Sequence, residues 1–257
     1  ENGYCDNCGR NMDIIASGTC GAEGDNLTWE LDREGNFIIN GNGAMEGYYT
    51  TTPWYDLRSQ IKTVDISEGV TSIGYYAFYG YCDLESITIA KSVTSIENYA
   101  FYGCSSLENI TIPEGVTSIG KEAFSYCSSL ENITIPESVT SIGDNAFFDC
   151  SSLESITIPE SVTGIGNHAF YGCSSLESIT IPESVTYIGW LAFSDCSGLK
   201  TIIVDENNTV YDSRNDCNAV IETATNTLIL GCKNSVIPAG VTSIGNSAFY
   251  ECSNLES

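Results

Sequence analysis

From residue 61 onward the apolar positions recur with a period far longer than that of a helix turn or a strand pleat. Ala-Phe stands at 77, 100, 123, 146, 169 and 192, each 23 residues after the last, and again at 248. Between these marks the pattern holds: Leu130-x-x-Ile133-x-Ile135-Pro136, then Val139-x-x-Ile142-Gly143, then Ala146-Phe147-x-x-Cys150. Self-similarity at roughly 20–50 residues is the signature of a solenoid. Leu-x-x-Ile-x-Ile alternates and is rich in β-branched residues, so it predicts a strand. Proline ends it, because it has no N–H for a ladder. Val-Thr-x-Ile-Gly predicts a second short extended piece, and Ala-Phe-x-x-Cys is long enough only for a single helical or 3₁₀ turn.

The strand-start slot holds Ile61, Leu84, Leu107, Leu130, Leu153, Leu176 and Leu199. Coils therefore span 61–83, 84–106, 107–129, 130–152, 153–175 and 176–198, followed by a longer one at 199–231 and a last at 232–254. Leu255 opens a further copy, so the repeats are expected to run on past Ser257. Stacked coils place equivalent strands side by side at ~4.8 Å. Leu130, Ile133, Ile135, Val139, Ile142, Ala146, Phe147, Cys150 and their equivalents are the predicted core. No coil can bury its apolar face alone, so stability is a sum over neighbours.

Three regions follow: a cysteine-containing N-terminal tail at 1–24, a cap at 25–60, and the solenoid at 61–257 with about eight repeats. In the tail, Cys5-x-x-Cys8 and Cys20 leave a loose segment, a disulfide and half a zinc site as open alternatives. In the cap, Leu27, Trp29 and Leu31 alternate, Asp32–Asn36 turns, and Phe37–Ile39 returns, which predicts a β-hairpin. Trp29 and Trp54 are expected to plug the first coil. The long coil predicts a second hairpin, 218–222 against 227–231, with Cys217 opposite Cys232, either as a disulfide or as two neighbouring thiols.

The motif Leu-x-x-Ile-x-Ile-Pro-x-x-Val-x-x-Ile-Gly-x-x-Ala-Phe-x-x-Cys resembles the BspA-like, treponemal-type leucine-rich repeats, and the resemblance covers 61–257. Ser17–Gly21, Leu27–Leu31, Gly41–Met45 and Pro53-Trp54-Tyr55 are similar to the leader of such repeats. Tyr211–Arg214 with Asn218–Ile221 resembles a variant repeat of the same family. The resemblance implies a right-handed leucine-rich-repeat coil with parallel strands on one face and an N-terminal hairpin cap. It also implies a bacterial surface or secreted protein that adheres to host matrix proteins or other cells, and it brings no catalytic motif.

Charge narrows the partners. With 34 acidic and 9 basic residues the net charge is -25, which disfavours nucleic acid and anionic membrane. No run reaches the ~18 apolar residues of a membrane span. The first residues carry no basic segment followed by an apolar one, so a signal peptide is expected upstream or already removed. His168 is the only histidine and its slot elsewhere holds Tyr, Glu, Asn, Leu or Ser, which reads as a surface position rather than a catalytic base. No enzyme activity, cofactor or resident metal is expected.

Stacking turns each slot into a row. Glu85, Glu108, Glu131, Glu154 and Glu177 form one, ending at Lys200, and Thr111, Thr134 and Thr157 lie beside it with Thr88 and Thr180. Like charges ~4.8 Å apart repel by roughly 0.9 kcal/mol in water. Calcium is one answer to such a row, but no calcium-loop spacing accompanies it, so it reads as a solvated face. A second row holds Tyr79, Tyr102, Ser125, Phe148, Tyr171, Ser194 and Tyr250, with Trp190 nearby. These rings offer platforms for sugars or anchors for a protein; alternatively they cover the turn edge. Cys104, Cys127, Cys150, Cys173 and Cys196 share one slot and are expected as a buried ladder of free thiols. The function these features suggest is an extracellular or cell-surface module that binds a protein ligand. Alternatives are a structural spacer presenting other domains and a glycan-binding surface.

Overall fold

A computed structural model of the protein describes residues 13–49, 51–250 and 252. Two parallel sheets run along the stack. The first collects the Leu-x-x-Ile-x-Ile strands: Thr63–Ile66, Ser86–Ile89, Asn109–Thr111 and Asn132–Thr134 lie side by side in phase. Coil 153–175 adds a single bridge, Asn132 to Ser155, and pairing resumes between Ser178–Ile181 and Thr201–Val204. The second sheet is built from the Val-Thr-x-Ile pieces, from Val70–Ile73 to Tyr187–Ile188. Strands thus occupy two faces, because the short piece after each proline pairs with its counterpart 23 residues away as well.

The turn at Ala-Phe divides its hydrogen bonds by parity. Ala146 and Phe148 N–H donate three residues back, to Gly143 and Asn145, as in a 3₁₀ turn. Asn145, Phe147 and Asp149 N–H donate instead to Asn167, Ala169 and Tyr171 in the following coil. This needs left-handed backbone at the slot before Ala-Phe, where Tyr76, Tyr99, Glu122, Asn145, His168, Leu191 and Ser247 all have φ between 52° and 62°. Ordinary side chains pay a small penalty there, and the inter-coil bonds offset it.

The core is a set of columns. All eight core positions predicted for coil 130–152 are buried. Phe78, Phe101, Phe124, Phe147, Phe170 and Phe193 stack face to face, 5.1–5.5 Å apart and within 7° of parallel. Alongside them the thiols of Cys104, Cys127, Cys150, Cys173 and Cys196 each donate to the carbonyl of a Phe in the preceding coil at 3.1–3.3 Å.

The cap begins earlier than expected. Ile14–Gly21 is a strand, antiparallel to Gly24–Asp32, which pairs with Asn36–Gly41. The boundary at residue 25 is therefore corrected: residues 14–24 belong to the cap, with Cys20 buried in it. The reason is alternation on the sheet edge, where Ala16 packs on the core and Gly18 makes room for the Trp29 ring. Cys5 and Cys8 lie outside the described residues. Asn36–Gly41 pairs in parallel with Thr63–Ile66, which seals the first coil. Trp29 and Trp54 are both buried, and Trp54 Nε1 donates to Ala77 O at 3.2 Å. Coil 61–83 has Tyr81 in the cysteine slot, and its hydroxyl meets Thr52 Oγ1 at 3.0 Å, tying the coil to the cap.

The long coil carries the predicted hairpin, Ala219–Glu222 against Thr227–Gly231, with an irregularity between Val220 and Ile221. Cys217 and Cys232 are buried free thiols, so no disulfide closes it. Its outer strand pairs in parallel with Ser243–Ile244 of the last coil. Gly231 N–H donates to Ala248 O, the bond a preceding coil's Phe makes elsewhere. The hairpin therefore stands in for a coil at this point of the stack. Asn208 fastens it below, donating to Pro182 O and Val185 O and accepting from Val210 and Tyr211 N–H.

Candidate binding surfaces

The strand face carries the acidic row in register. Main-chain bonds run from Glu131 to Glu108, Glu154 to Glu131, Glu177 to Glu154 and Lys200 to Glu177, so the side chains stand one per coil. Glu85, Glu108, Glu131, Glu154 and Glu177 are exposed, as are Thr111, Thr134 and Thr157 beside them. Lysines end the row on both sides, since Glu85 N–H bonds to Lys62 O. The ammonium of Lys200 pairs with Glu177 and holds that carboxyl below its ordinary range. The surface is polar, with an open depression lined by Glu154, Glu177, Lys200 and Lys233, and among the described residues no three His, Cys, Asp or Glu side chains converge to hold a metal ion.

The turn edge carries an aromatic stripe. Tyr76 stacks on Tyr99 at 4.7 Å and Tyr79 on Tyr102 at 4.6 Å. At the next coil the row holds Ser125, which is buried and donates to Asn145 O. Tyr126, one residue on, supplies the ring instead: it lies 5.2 Å from Tyr102 and 5.4 Å from Phe148. Phe148 then stacks on Tyr171 at 4.9 Å, and Tyr171 reaches Tyr250 at 6.4 Å. His168 sits edge-on to Trp190 at 5.0 Å, as a further ring of the stripe. Of the residues predicted from sequence, the stripe gathers Tyr79, Tyr102, Tyr171 and Trp190. Tyr79 and Trp190 are exposed, while Tyr102 and Tyr171 are half-buried. A shallow groove between Tyr102, Tyr126 and Phe148 carries Glu122 and Asn145 on its walls. Desolvation raises the Tyr102 and Tyr126 hydroxyls, and desolvation with a hydrogen bond to Tyr250 pushes Tyr171 up to about 12, so these phenols are neutral donors at physiological pH.

Tyr126 and Tyr187 were not among the sequence candidates. Tyr126 occupies a slot that elsewhere holds Gly80, Gly103, Asp149, Gly172 or Asp195, and it is out of phase with the other rings. Its positive φ of 60° marks that slot as the second left-handed position of each coil.

A capped stack of parallel coils with two extended faces defines a leucine-rich-repeat-like solenoid. The BspA type leucine rich repeat region, in 6 copies, matches residues 55–152, 117–225 and 228–257, and the chain belongs to that family. A leucine rich cell surface protein from Faecalibacterium prausnitzii A2-165 is similar at 30% identity and TM-score 0.70, over 94% of this chain and 75% of that one. The T. pallidum leucine rich repeat protein shares the fold at 24% identity and TM-score 0.54, covering 93% of this chain and 92% of its own. The pneumococcal vaccine antigen PcpA shares it at 19% identity and TM-score 0.64, covering 95% of this chain and 64% of its own. No curated protein sequence matches the chain. Among the described residues no helix is long and apolar enough to cross a membrane.

Proposed function

We propose that this chain is an extracellular, cell-surface adhesion module that engages a protein ligand on a host or neighbouring cell through the aromatic stripe. The observation that carries this reading is the substitution of Tyr126 for the missing ring at Ser125, which keeps rings adjacent from Tyr76 to Tyr171. Rings that only filled gaps between coils would have no reason to bridge an out-of-phase slot. Tyrosine and tryptophan are enriched at the centres of interfaces because they bury large area with little loss of side-chain freedom. The surrounding acidic surface favours a basic partner and would make binding weaken as salt rises.

No catalytic role forms part of this reading. Its single histidine is packed between rings, and the carboxylates of the strand face line no enclosed site. A second reading, a spacer that presents other domains, is supported by the near-identity of the coils from 107 to 198. A binding screen against immobilised matrix proteins and a glycan array separates the possibilities. A saturable protein hit that Tyr102→Ala, Tyr126→Ala and Tyr171→Ala abolish supports the adhesin. Glycan hits lost in the same variants would move the ligand class to sugars, and silence on both panels favours the spacer.

A further inference from the structure

The regular stack breaks at one point on the turn edge. In every coil from 61–83 to 153–175, the N–H groups at the slot before Ala-Phe and at the Phe itself donate to carbonyls of the following coil. His168 and Phe170, for example, donate to Trp190 and Ala192. Coil 176–198 presents the same two donors, Leu191 and Phe193, and among the described residues no carbonyl accepts from either. Nearby, the Tyr211 hydroxyl of the long coil accepts from Ile188 N–H at 3.1 Å. The Ala-Phe turn that belongs next to Leu191 has been carried away with the last coil. Its Phe249 lies over Gly231, where an added Cβ would meet the ring at 2.2 Å.

What remains is a cleft of about 350 Å³ between the two turns. Leu191 and Phe193 line it from coil 176–198, Glu222 and Leu230 from the hairpin and Ser247 from the last turn, together with Trp190. Trp190 and Tyr187, which also lines it, are among the most exposed aromatic side chains of the described residues, at 59% and 53%. Leu191 and Phe193 N–H, donors at residues i and i+2 left over from a main-chain ladder, are matched by a backbone that offers carbonyls at alternate residues. A sugar ring has no such repeat, and an anion would meet the Glu222 carboxylate in the lining.

We propose that this cleft is a receptor site for an extended polypeptide segment of another protein. Two alternate main-chain carbonyls of that segment accept from Leu191 and Phe193 N–H, a small apolar side chain rests on Leu230, and Trp190 covers the segment from outside. The segment takes the place that the next coil's turn occupies elsewhere in the array, an instance of recognition by main-chain pairing. The site is separate from the groove at Tyr102 and Tyr126, so it stands whether or not the aromatic stripe binds a partner.

The test is a displayed library of random linear heptapeptides selected on the intact protein, with Ser247→Trp as the blocked variant. Ring side chains are tolerated at that left-handed slot, as Tyr76 and Tyr99 show, and an unchanged melting temperature checks the fold. Selected peptides should bind the wild type and lose at least about ten-fold in affinity on S247W. Replacing the accepting amide by an ester, whose carbonyl is a weaker acceptor, should cost up to about ten-fold, no more than the worth of one hydrogen bond. The amide protons of Leu191 and Phe193 should show the largest shifts on titration by NMR, and Tyr102→Ala should leave binding intact. A library that yields no binder, peptides that bind S247W equally well, or glycans that bind at this cleft instead would each overturn the proposal.

Discussion

The thiol of Cys150 donates to the main-chain oxygen of Phe124 in the preceding coil, at 3.1 Å. That oxygen already accepts from Cys127 N–H, so the thiol uses its second lone pair and joins two coils inside the core. Cys150→Ala removes the bond and leaves a small void, and should lower the unfolding free energy by about 1–3 kcal/mol. Urea denaturation of the two proteins measures it, and an unchanged midpoint would show that the bond contributes nothing.

The same column predicts thiol reactivity. Cys82 is exposed, whereas Cys104, Cys127, Cys150, Cys173 and Cys196 are buried and free of disulfides. A thiol-specific reagent should modify Cys82 at once and the column only after denaturant is added, and mass spectrometry of the labelled peptides reads this out. Early labelling of the column would mean that the coils open readily.

Stability should fall on the alkaline side. Burial pushes the Cys127 and Cys196 thiols from 9.0 to about 12, and desolvation raises Cys104, Cys150 and Cys173 as well. Unfolded thiols lose protons near their ordinary value while folded ones keep them, so the unfolded state is favoured as pH rises. The contribution of the column is therefore fully present below about 9 and is lost as pH climbs towards about 12. Denaturation midpoints taken at neutral pH and at steps up to about 11 should decline across that window, and a flat profile would contradict the burial of the column.

A charge in the ring column should be far more damaging than one on the strand face. Phe147 is fully buried between Phe124 and Phe170, so Phe147→Asp leaves an unpaired carboxylate among rings and should cost more than about 4 kcal/mol. Thr157→Asp, on the exposed face, should shift the melting temperature by only a few degrees. Equal effects of the two substitutions would contradict the coil register.

The acidic row should act through repulsion. Glu131 has Glu108 on one side and Glu154 on the other, so Glu131→Gln should raise the melting temperature in low salt. The gain should shrink as salt shortens the screening length below the coil spacing, near 1 M. A salt-independent gain would point to packing rather than charge.

The repetition made most of the array legible in the sequence. Leu130, Phe147 and Cys150 recur at one spacing in coil after coil, and only stacking satisfies them all, so strands, core and thiol column follow from the period. Elements that violate the period were harder to read. Ile14–Gly21 lacks a repeat partner, and its fate depends on a sheet edge that the cap creates. Tyr126 stands in a slot that elsewhere holds Gly or Asp, and its role depends on Ser125 turning inward in the same coil. The gap beside Leu191 and Phe193 arises from where the hairpin displaces the last turn, a long-range consequence that no local pattern encodes. Left-handed backbone at the slot of His168 was likewise hidden behind its varied residues, which share no side-chain chemistry.

The parity of the Ala-Phe turn, with half of its donors kept inside the coil and half passed to the next, makes every coil junction interchangeable. An in-frame duplication or loss of one whole period would leave each remaining junction with the neighbour it already has. Array length is thus nearly free to drift in the gene, and with it the distance from the cap to the last coil. The hairpin coil is the exception: it sits on a coil below and a displaced turn above that fit nowhere else, so it acts as a fixed marker against which such drift would be counted.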